Sequence, residues 1–255
     1  MFKVLITGAN GFFGKNLVRK LEKGGDFLIF KYVRSDSLND LDSYIKNSDF
    51  IFHFAGEVKL DSGAKKLKQS NVILTENIII LLNKYNKKTP IVYASSIHAI
   101  TQTNEYGKTK RQSEVLIEKH CQKQGVKYCI FRLPHVFGEG ARPNHNSVIS
   151  TWIFNSINDL EINIYNRRIK MNYVYIQDLL CDFTRCLDDN INNKESYVVP
   201  ECVYSTTLGA VFDYIVDFKR NIDNKNYAVK DDEFKDKLFT TYLDYYKNNK
   251  PEVIE

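Results

Sequence analysis

The chain has 255 residues, of which 43% are hydrophobic and 26% charged, enough for one sizeable core and out of keeping with a disordered chain. Its formal net charge of +5 is scattered, with no Arg-rich arm, helix-turn-helix pattern or zinc-finger spacing, so nucleic acid is not an expected partner. The 5 Cys contain no CxxC pair, which excludes a disulfide framework and a structural zinc site and predicts a reducing compartment with no bound metal.

In chain order, Phe2 to Thr7 is a short run of β-formers, and Gly8-Ala-Asn-Gly11-Phe-Phe-Gly14 follows at once. Leu17, Val18 and Leu21 then recur at helical spacing until Gly24-Gly25 stops the helix. Phe27 to Val33 reads as a second strand, the segment carrying Leu38, Leu41 and Ile45 as a short helix, and Phe50 to Phe54 as a third strand ending in Ala55-Gly56. A long helix is predicted over 64–85, a strand over Ile91–Ala94, a helix over 105–124 and a strand over Tyr128–Arg132. Five strand–helix alternations imply an α/β fold with a Rossmann-type, doubly wound parallel sheet covered on both faces.

After Leu133-Pro134 the texture changes. Gly138, Gly140 and Pro143 mark a loop, 147–157 reads as a helix, 161–165 and 172–176 as strands, Asp178 as the cap of a helix through Leu187, and 208–246 as mainly helical. The expected division is a dinucleotide-binding core over 1–134 and a small substrate-binding part over 135–255, with some segments returning to the core and the second part covering the mouth of the sheet. The longest apolar stretch, Ile78 to Leu82, cannot cross a bilayer, and no charged-then-apolar leader opens the chain. A soluble, cytoplasmic protein is expected.

Strand, Gly8-x-x-Gly11-x-x-Gly14, then helix is a dinucleotide fingerprint in its proper context. Gly8 permits the tight turn, Gly11 the close approach of backbone to pyrophosphate, and Gly14 close packing of helix on strand, while the helix N-terminus offers N–H groups to phosphate. The second strand ends in Arg34-Ser35, where an Arg can pair with a 2′-phosphate and Ser35 can hydrogen-bond to it; this favours NADPH over NADH, although Asp36 lies two residues on. Tyr106 and Lys110 stand at i and i+4 on one helix face, where an ammonium favours the phenolate and is expected to lower the Tyr pKa. Ser95-Ser96 ends a strand one short loop earlier, at the sheet edge where ligands bind.

The ordered set Thr7-Gly-Ala-Asn-Gly-Phe-Phe-Gly14, Phe54-Ala-Gly56, Asn71, Ser95-Ser96, Tyr106-x-x-x-Lys110 and Arg132-Leu-Pro-x-Val-Phe-Gly138 resembles the extended short-chain dehydrogenase/reductase family of NAD(P)-dependent nucleotide-sugar epimerases, dehydratases and reductases. Residues 142–151, 160–174 and 199–209 are similar to the reductase domain of bacterial capsule and O-antigen reductase–epimerases, which act on UDP-linked 4-keto-6-deoxy sugars in surface polysaccharide biosynthesis. Those proteins carry a C-terminal cupin epimerase domain, for which these 255 residues hold no counterpart.

The resemblance implies Tyr106 as proton donor, Lys110 as the residue holding the nicotinamide ribose, and Ser96 as the hydroxyl on the reacting carbonyl, with Ser95 as its stand-in. It implies Asn71 as an ordering residue. It places the cofactor on Gly8, Asn10, Gly11, Phe12, Phe13, Gly14, Arg34, Ser35, Ala55, Gly56, Asn71, Tyr106, Lys110 and Pro134, and the sugar nucleotide near His98, His135, Asn146 and Arg168. A homodimer is compatible with it. Two departures bear on the reaction. Ile97 and His98 stand where family dehydratases place Asp-Glu, which disfavours dehydration, and His135 replaces a common Asn. The alternatives are an NAD-dependent nucleotide-sugar 4-epimerase and a catalytically silent dinucleotide-binding module. His53 is expected to be a satisfied sheet residue rather than a base.

Overall fold

The computed structural model describes residues 1–58, 63–188, 196–222, 227 and 232–249. The chain forms two compact units, Met1–Leu133 with Leu180–Pro200, and Pro134–Leu179 with Glu201–Glu255.

The first unit is built on a parallel sheet of β1 (Phe2–Thr7), β2 (Phe27–Tyr32), β3 (Phe50–His53), β4 (Ile91–Ser96), β5 (Tyr128–Leu133) and β8 (Tyr197–Val198), in the order β2-β1-β3-β4-β5-β8. Leu5 sits opposite Phe30 on one side and Ile51 on the other. The crossover direction therefore reverses beside β1, and the crevice at the carboxyl ends of β1 and β3 is the position where such sheets bind ligands.

One face is covered by α2 (Leu38–Asn47), α4 (Leu74–Lys84) and α6 (Glu105–Gln124); Leu41, Ile45, Ile78, Leu82, Ile117 and Cys121 pack there with Leu5, Ile51, Ile91 and Ile130. α1 (Phe12–Gly24) and the second half of α8 (Ile176–Arg185) belong to the other face, where Phe183 meets Phe13, Phe52, Phe54 and Phe131. Apolar residues on both faces are what a parallel sheet requires.

The second unit has β6 (His135–Phe137) parallel to β7 (Lys170–Tyr175), and β7 antiparallel to β9 (Tyr204–Thr207), with helices α7 (Val148–Ile157), α9 (Leu208–Asn221) and α10 (Glu233–Asn249). Its core is aromatic: Phe234 packs against Phe137, Tyr173 and Tyr204, and Phe218 against Phe239 and Tyr242.

Several sequence expectations are corrected. The helix expected over 64–85 is three pieces, α3 (Ala64–Lys68), a π-helical turn over Gln69–Ile73 and α4. Residues 161–165 alternate in burial but form no strand; Asn155 Nδ2 donates to the Glu161 carbonyl at 2.9 Å, and among the described residues they have no ladder partner. Asp178 falls inside the first turn of α8, which begins directly at Ile176 and ends at Arg185. β3 stops at His53 and β2 at Tyr32, whereas β4 continues to Ser96. The short elements α5 (His98–Thr101), β6, β8 and β9 are additions to the predicted set. Of the helical region expected over 208–246, residues 223–226 and 228–231 lie outside the described residues.

Candidate active site

The glycine turn has the geometry its spacing demands. Gly8 has φ +70°, and a Cβ there would lie 2.8 Å from the Ala55 nitrogen; at Gly14 it would lie 2.3 Å from the Gly8 carbonyl oxygen. The Gly8 and Ala9 N–H groups donate to the Tyr32 carbonyl at 2.9 and 3.3 Å, tying the turn to the end of β2. Helix α1 has neither a side-chain cap nor an acidic residue in its first turn, so its N-terminal field is open to an anion.

Beside this turn, Thr7, His53, Thr75 and Asn71 form one polar chain. The Ala55 N–H donates to Thr7 Oγ1 at 3.2 Å, Thr7 Oγ1 lies 2.7 Å from His53 Nδ1, His53 Nε2 lies 2.9 Å from Thr75 Oγ1, and Thr75 donates to the Asn71 carbonyl at 2.6 Å. Thr75 spends its proton on Asn71, so it accepts from His53 Nε2–H, and Nδ1 accepts from the Thr7 hydroxyl. Burial, with the charge of Lys110 adding, pulls the His53 pKa down to about 3. His53 is a neutral, satisfied sheet residue.

Asn71 lies in the π-helical turn. Its Oδ1 accepts from the Glu57 N–H at 2.8 Å, and its Nδ2 donates to the Glu57 carbonyl at 3.1 Å and to Thr109 Oγ1 at 3.0 Å. This pins the segment after β3 to helix α6. A Cβ on Gly56 would fall 2.6 Å from Asn71 Oδ1 and 3.4 Å from Lys110 Nζ, so the missing side chain leaves a recess over both. With the glycine turn, that recess makes a cradle in keeping with a dinucleotide.

Helix α6 begins at a side-chain cap, Asn104 Oδ1 accepting from the Gly107 N–H at 2.8 Å. A Cβ at Gly107 would lie 2.2 Å from the His98 carbonyl oxygen, so only glycine lets α6 settle against α5. That contact sets the entry of Tyr106, whose ring is 6.0 Å from the His98 ring.

Burial raises the Tyr106 phenol to about 12, and its hydrogen bond with Ser96 works against the rise. The lowered Tyr pKa expected from the Tyr–Lys spacing is therefore not found, because desolvation outweighs the Ser96 bond. Lys110 Nζ lies 6.0 Å from the Tyr106 ring and 4.7 Å from the Tyr93 ring, and donates to the Ala94 carbonyl at 2.9 Å. Burial pulls Lys110 itself down to about 8, with the Glu114 charge opposing. A phenol held well above neutrality is a proton donor in waiting rather than a base.

Sequence reasoning missed Glu114, one further helical step beyond Lys110. Its side chain is fully buried, accepts from Ser95 Oγ at 2.6 Å, takes Arg132 Nε and Nη2 at 3.0 and 2.8 Å, and takes Arg111 at 2.9 Å. Burial pushes its carboxyl up, but the bonds from Arg132, Ser95 and Arg111 prevail and hold it below the ordinary range. The cluster ties α6 to the ends of β4 and β5, next to Ser96. Glu114→Ala strands Arg132 and the Ser95 hydroxyl, while Arg111 keeps Glu118 at 3.3 Å, and a loss of about 3 kcal/mol is expected, seen as a melting temperature lower by about 8 °C. The carboxylate stabilises while ionised, so the gap between variant and wild type is widest at neutral pH and closes as pH falls through its depressed pKa. An equal gap at all pH values would contradict this.

At the end of β2, Asp36 Oδ2 accepts from the Val33 N–H at 2.8 Å and serves the local turn. Arg34 reaches Glu57 through Nη2 at 3.2 Å, a contact the sequence did not announce. Ser35, like Asn10, is exposed. Among the substrate candidates, His98 lies in the first unit. In the second unit, His135 and Asn146 line one small pocket with Phe137, Ser147, Met171 and Tyr173, and Asn146 has φ 72°. The Tyr173 hydroxyl is buried without a hydrogen-bond partner among the described residues, and burial raises it to about 12. Arg168 does not line that pocket; its N–H bonds to Asn166 Oδ1 at 2.9 Å. Pro134 separates β5 from β6. Among the described residues there is no cluster able to hold a metal ion and no helix long and apolar enough to cross a membrane.

The profile of the NAD dependent epimerase/dehydratase family matches residues 4–199. A UDP-2-acetamido-2,6-beta-L-arabino-hexul-4-ose reductase of Pseudomonas aeruginosa is 34% identical over 243 residues, covering 95% of this chain and 64% of the relative. The crystal structure of the capsular polysaccharide assembling protein CapF from Staphylococcus aureus superposes with a TM-score of 0.84 at 31% identity, over 96% of this chain and 65% of that one. The chain thus spans just under two thirds of the length of these two relatives. A UDP-glucuronic acid 4-epimerase from Bacillus cereus, crystallised with UDP-glucuronic acid and NAD, shares the fold at a TM-score of 0.82 and 14% identity, over 97% of this chain and 100% of that one.

Proposed function

The chain belongs to the NAD-dependent epimerase/dehydratase family, and from that premise we propose that it reduces the C4 ketone of a nucleotide-linked 4-keto-6-deoxy sugar, UDP-linked, with NADPH, in the making of a bacterial surface polysaccharide in the cytoplasm. The observation that carries the reading is the pairing of a glycine cradle with Tyr106 and Lys110, whose Nζ lies 6.0 Å from the Tyr106 ring. Gly8 and Gly56 leave room for the dinucleotide beside Lys110, and Tyr106 holds its proton up to a pKa of about 12.

The nicotinamide supplies a hydride to the ketone carbon when bound. Tyr106 gives its proton to the new alkoxide, Ser96 hydrogen-bonds the carbonyl oxygen and polarises it, and Lys110 holds the nicotinamide ribose. Asn71 and Glu114 fix the segments that carry these groups. Arg34 and Ser35 would hold the 2′-phosphate, with Gly8, Asn10, Gly11, Phe12, Phe13 and Gly14 at the pyrophosphate and Ala55, Gly56 and Pro134 lining the path of the cofactor. His98, His135, Asn146 and Arg168 are the substrate candidates. Ile97 at the position of a dehydratase acid supports reduction over elimination, since an alkyl side chain moves no proton.

The test is turnover of a UDP-linked 4-keto-6-deoxy sugar by purified protein. Stoichiometric loss of reduced cofactor with formation of the alcohol supports the reading. With the corresponding 4-hydroxy sugar nucleotide as substrate, interconversion of 4-epimers without net cofactor consumption would assign the 4-epimerase instead, and cofactor binding without turnover of any sugar would leave a dinucleotide-binding module.

A further inference from the structure

We propose that Glu57 governs the choice between the phosphorylated and non-phosphorylated cofactor, by competing with the 2′-phosphate for Arg34; this rests on the cofactor site just proposed. β2 and β3 flank β1 in the sheet. The Arg34–Glu57 pair joins residues that follow β2 and β3, so it bridges across the carboxyl end of β1, where the glycine turn lies. The two partners are unequal. The Glu57 side chain is 8% exposed and that of Arg34 78%.

The acid is the fixed member. Asn71 Oδ1 accepts from its N–H at 2.8 Å and Asn71 Nδ2 donates to its carbonyl at 3.1 Å, while its own Oε1 accepts from the Val58 N–H at 3.1 Å. Oε2 faces the guanidinium. The arginine is the mobile member, a planar fork with several N–H groups on a solvated stem. A 2′-phosphate brought to this fork meets a carboxylate already on it, and the two anions repel across a few ångströms of partly dry space. A 2′-hydroxyl carries no charge and meets no such opposition. Arg34 alone, read from sequence, promises a strong preference for NADPH; Arg34 with Glu57 opposite moderates it.

Glu57→Gln isolates the charge. The amide oxygen can still accept from Val58, and both bonds to Asn71 are made by backbone atoms of residue 57, so the segment keeps its anchors. The experiment is a fluorescence titration of cofactor-stripped protein with NADPH and with NADH, for wild type, Glu57→Gln, Arg34→Ala and the double variant. Glu57→Gln is expected to tighten NADPH by about tenfold while NADH stays within about twofold. In the Arg34→Ala background that gain is expected to shrink by more than half, since the competition needs the guanidinium. Arg34→Ala alone removes the fork that draws the 2′-phosphate towards Glu57 and is expected to abolish any preference for NADPH. The proposal is overturned if Glu57→Gln leaves NADPH affinity unchanged or weakens it, if NADH tightens equally, or if the full gain persists without Arg34. No keto sugar enters the titration. A protein that obeys these expectations but reduces no sugar therefore fails the proposed function alone.

Discussion

Tyr106→Phe is expected to cut the rate of ketone reduction about a thousandfold and to leave NADPH affinity within about twofold. The variant removes one hydroxyl and keeps the ring beside His98, at a centroid distance of 6.0 Å, and beside the Lys110 ammonium, at 6.0 Å. Burial holds the phenol at about 12, so at neutral pH the wild-type residue is fully protonated and can give its proton to the alkoxide formed at C4. Ser96 remains in the variant, so the carbonyl is still polarised. The measurement is single-turnover reduction beside a cofactor titration. A rate within tenfold of wild type would take the proton from Tyr106 and hand it to water or to another group; a parallel collapse of cofactor binding would make Tyr106 a binding residue instead.

Lys110→Met is expected to destroy activity and to stabilise the cofactor-free protein, two effects of opposite sign from one side chain. The ammonium is buried, and its pKa falls from 10.5 to about 8, a difference worth about 3 kcal/mol. A lysine depressed in the folded state disfavours folding at every pH below that value, and the penalty fades as pH rises from about 8 towards its unfolded pKa. Methionine has a similar length and no charge, but forfeits the bond to the Ala94 carbonyl, worth about 1 kcal/mol. The net gain is about 2 kcal/mol at pH 7, or about 5 °C in melting temperature. Raising the pH to 10 should narrow the gap. A melting temperature unchanged or lower at pH 7 would show that the ammonium is better compensated than its surroundings suggest. Activity should fall at least about a hundredfold, because the nicotinamide ribose loses its anchor.

What was legible in the sequence follows the range of the interaction. The glycine turn could be read because a φ of +70° and a Cβ–backbone approach of 2.8 Å at Gly8 admit only glycine, and such a demand marks the sequence directly. The Tyr106–Lys110 pair was visible from helical spacing, and the alternation of strand and helix announced the parallel sheet. Glu114 lies on the same face at the same period, and that spacing was the available signal; its burial, which makes it more than a surface charge, comes from Arg132 and Ser95 on two different strands.

Long-range pairings were not legible. Arg34 and Glu57 stand 23 residues apart and meet only because β2 and β3 flank β1. The π-helical turn at Gln69–Ile73 shifts backbone register without changing the apolar pattern, so it passed as continuous helix. β8 and β9, of 2 and 4 residues, are too short for periodicity to show. The segment 161–165 failed in the other direction, its alternation being genuine while no described strand pairs with it. The pKa of Tyr106 was misjudged because spacing reveals a neighbouring charge and says nothing of desolvation.

The reading stands or falls on where the hydride goes. Purified protein should be mixed with a UDP-linked 4-keto-6-deoxy sugar and NADPH carrying deuterium at the transferable nicotinamide position, and the sugar product analysed by mass spectrometry and NMR. The account predicts one deuterium at C4 of the product for each cofactor oxidised. A product without deuterium at C4, or epimerised sugar with the cofactor still reduced and fully labelled, would contradict it.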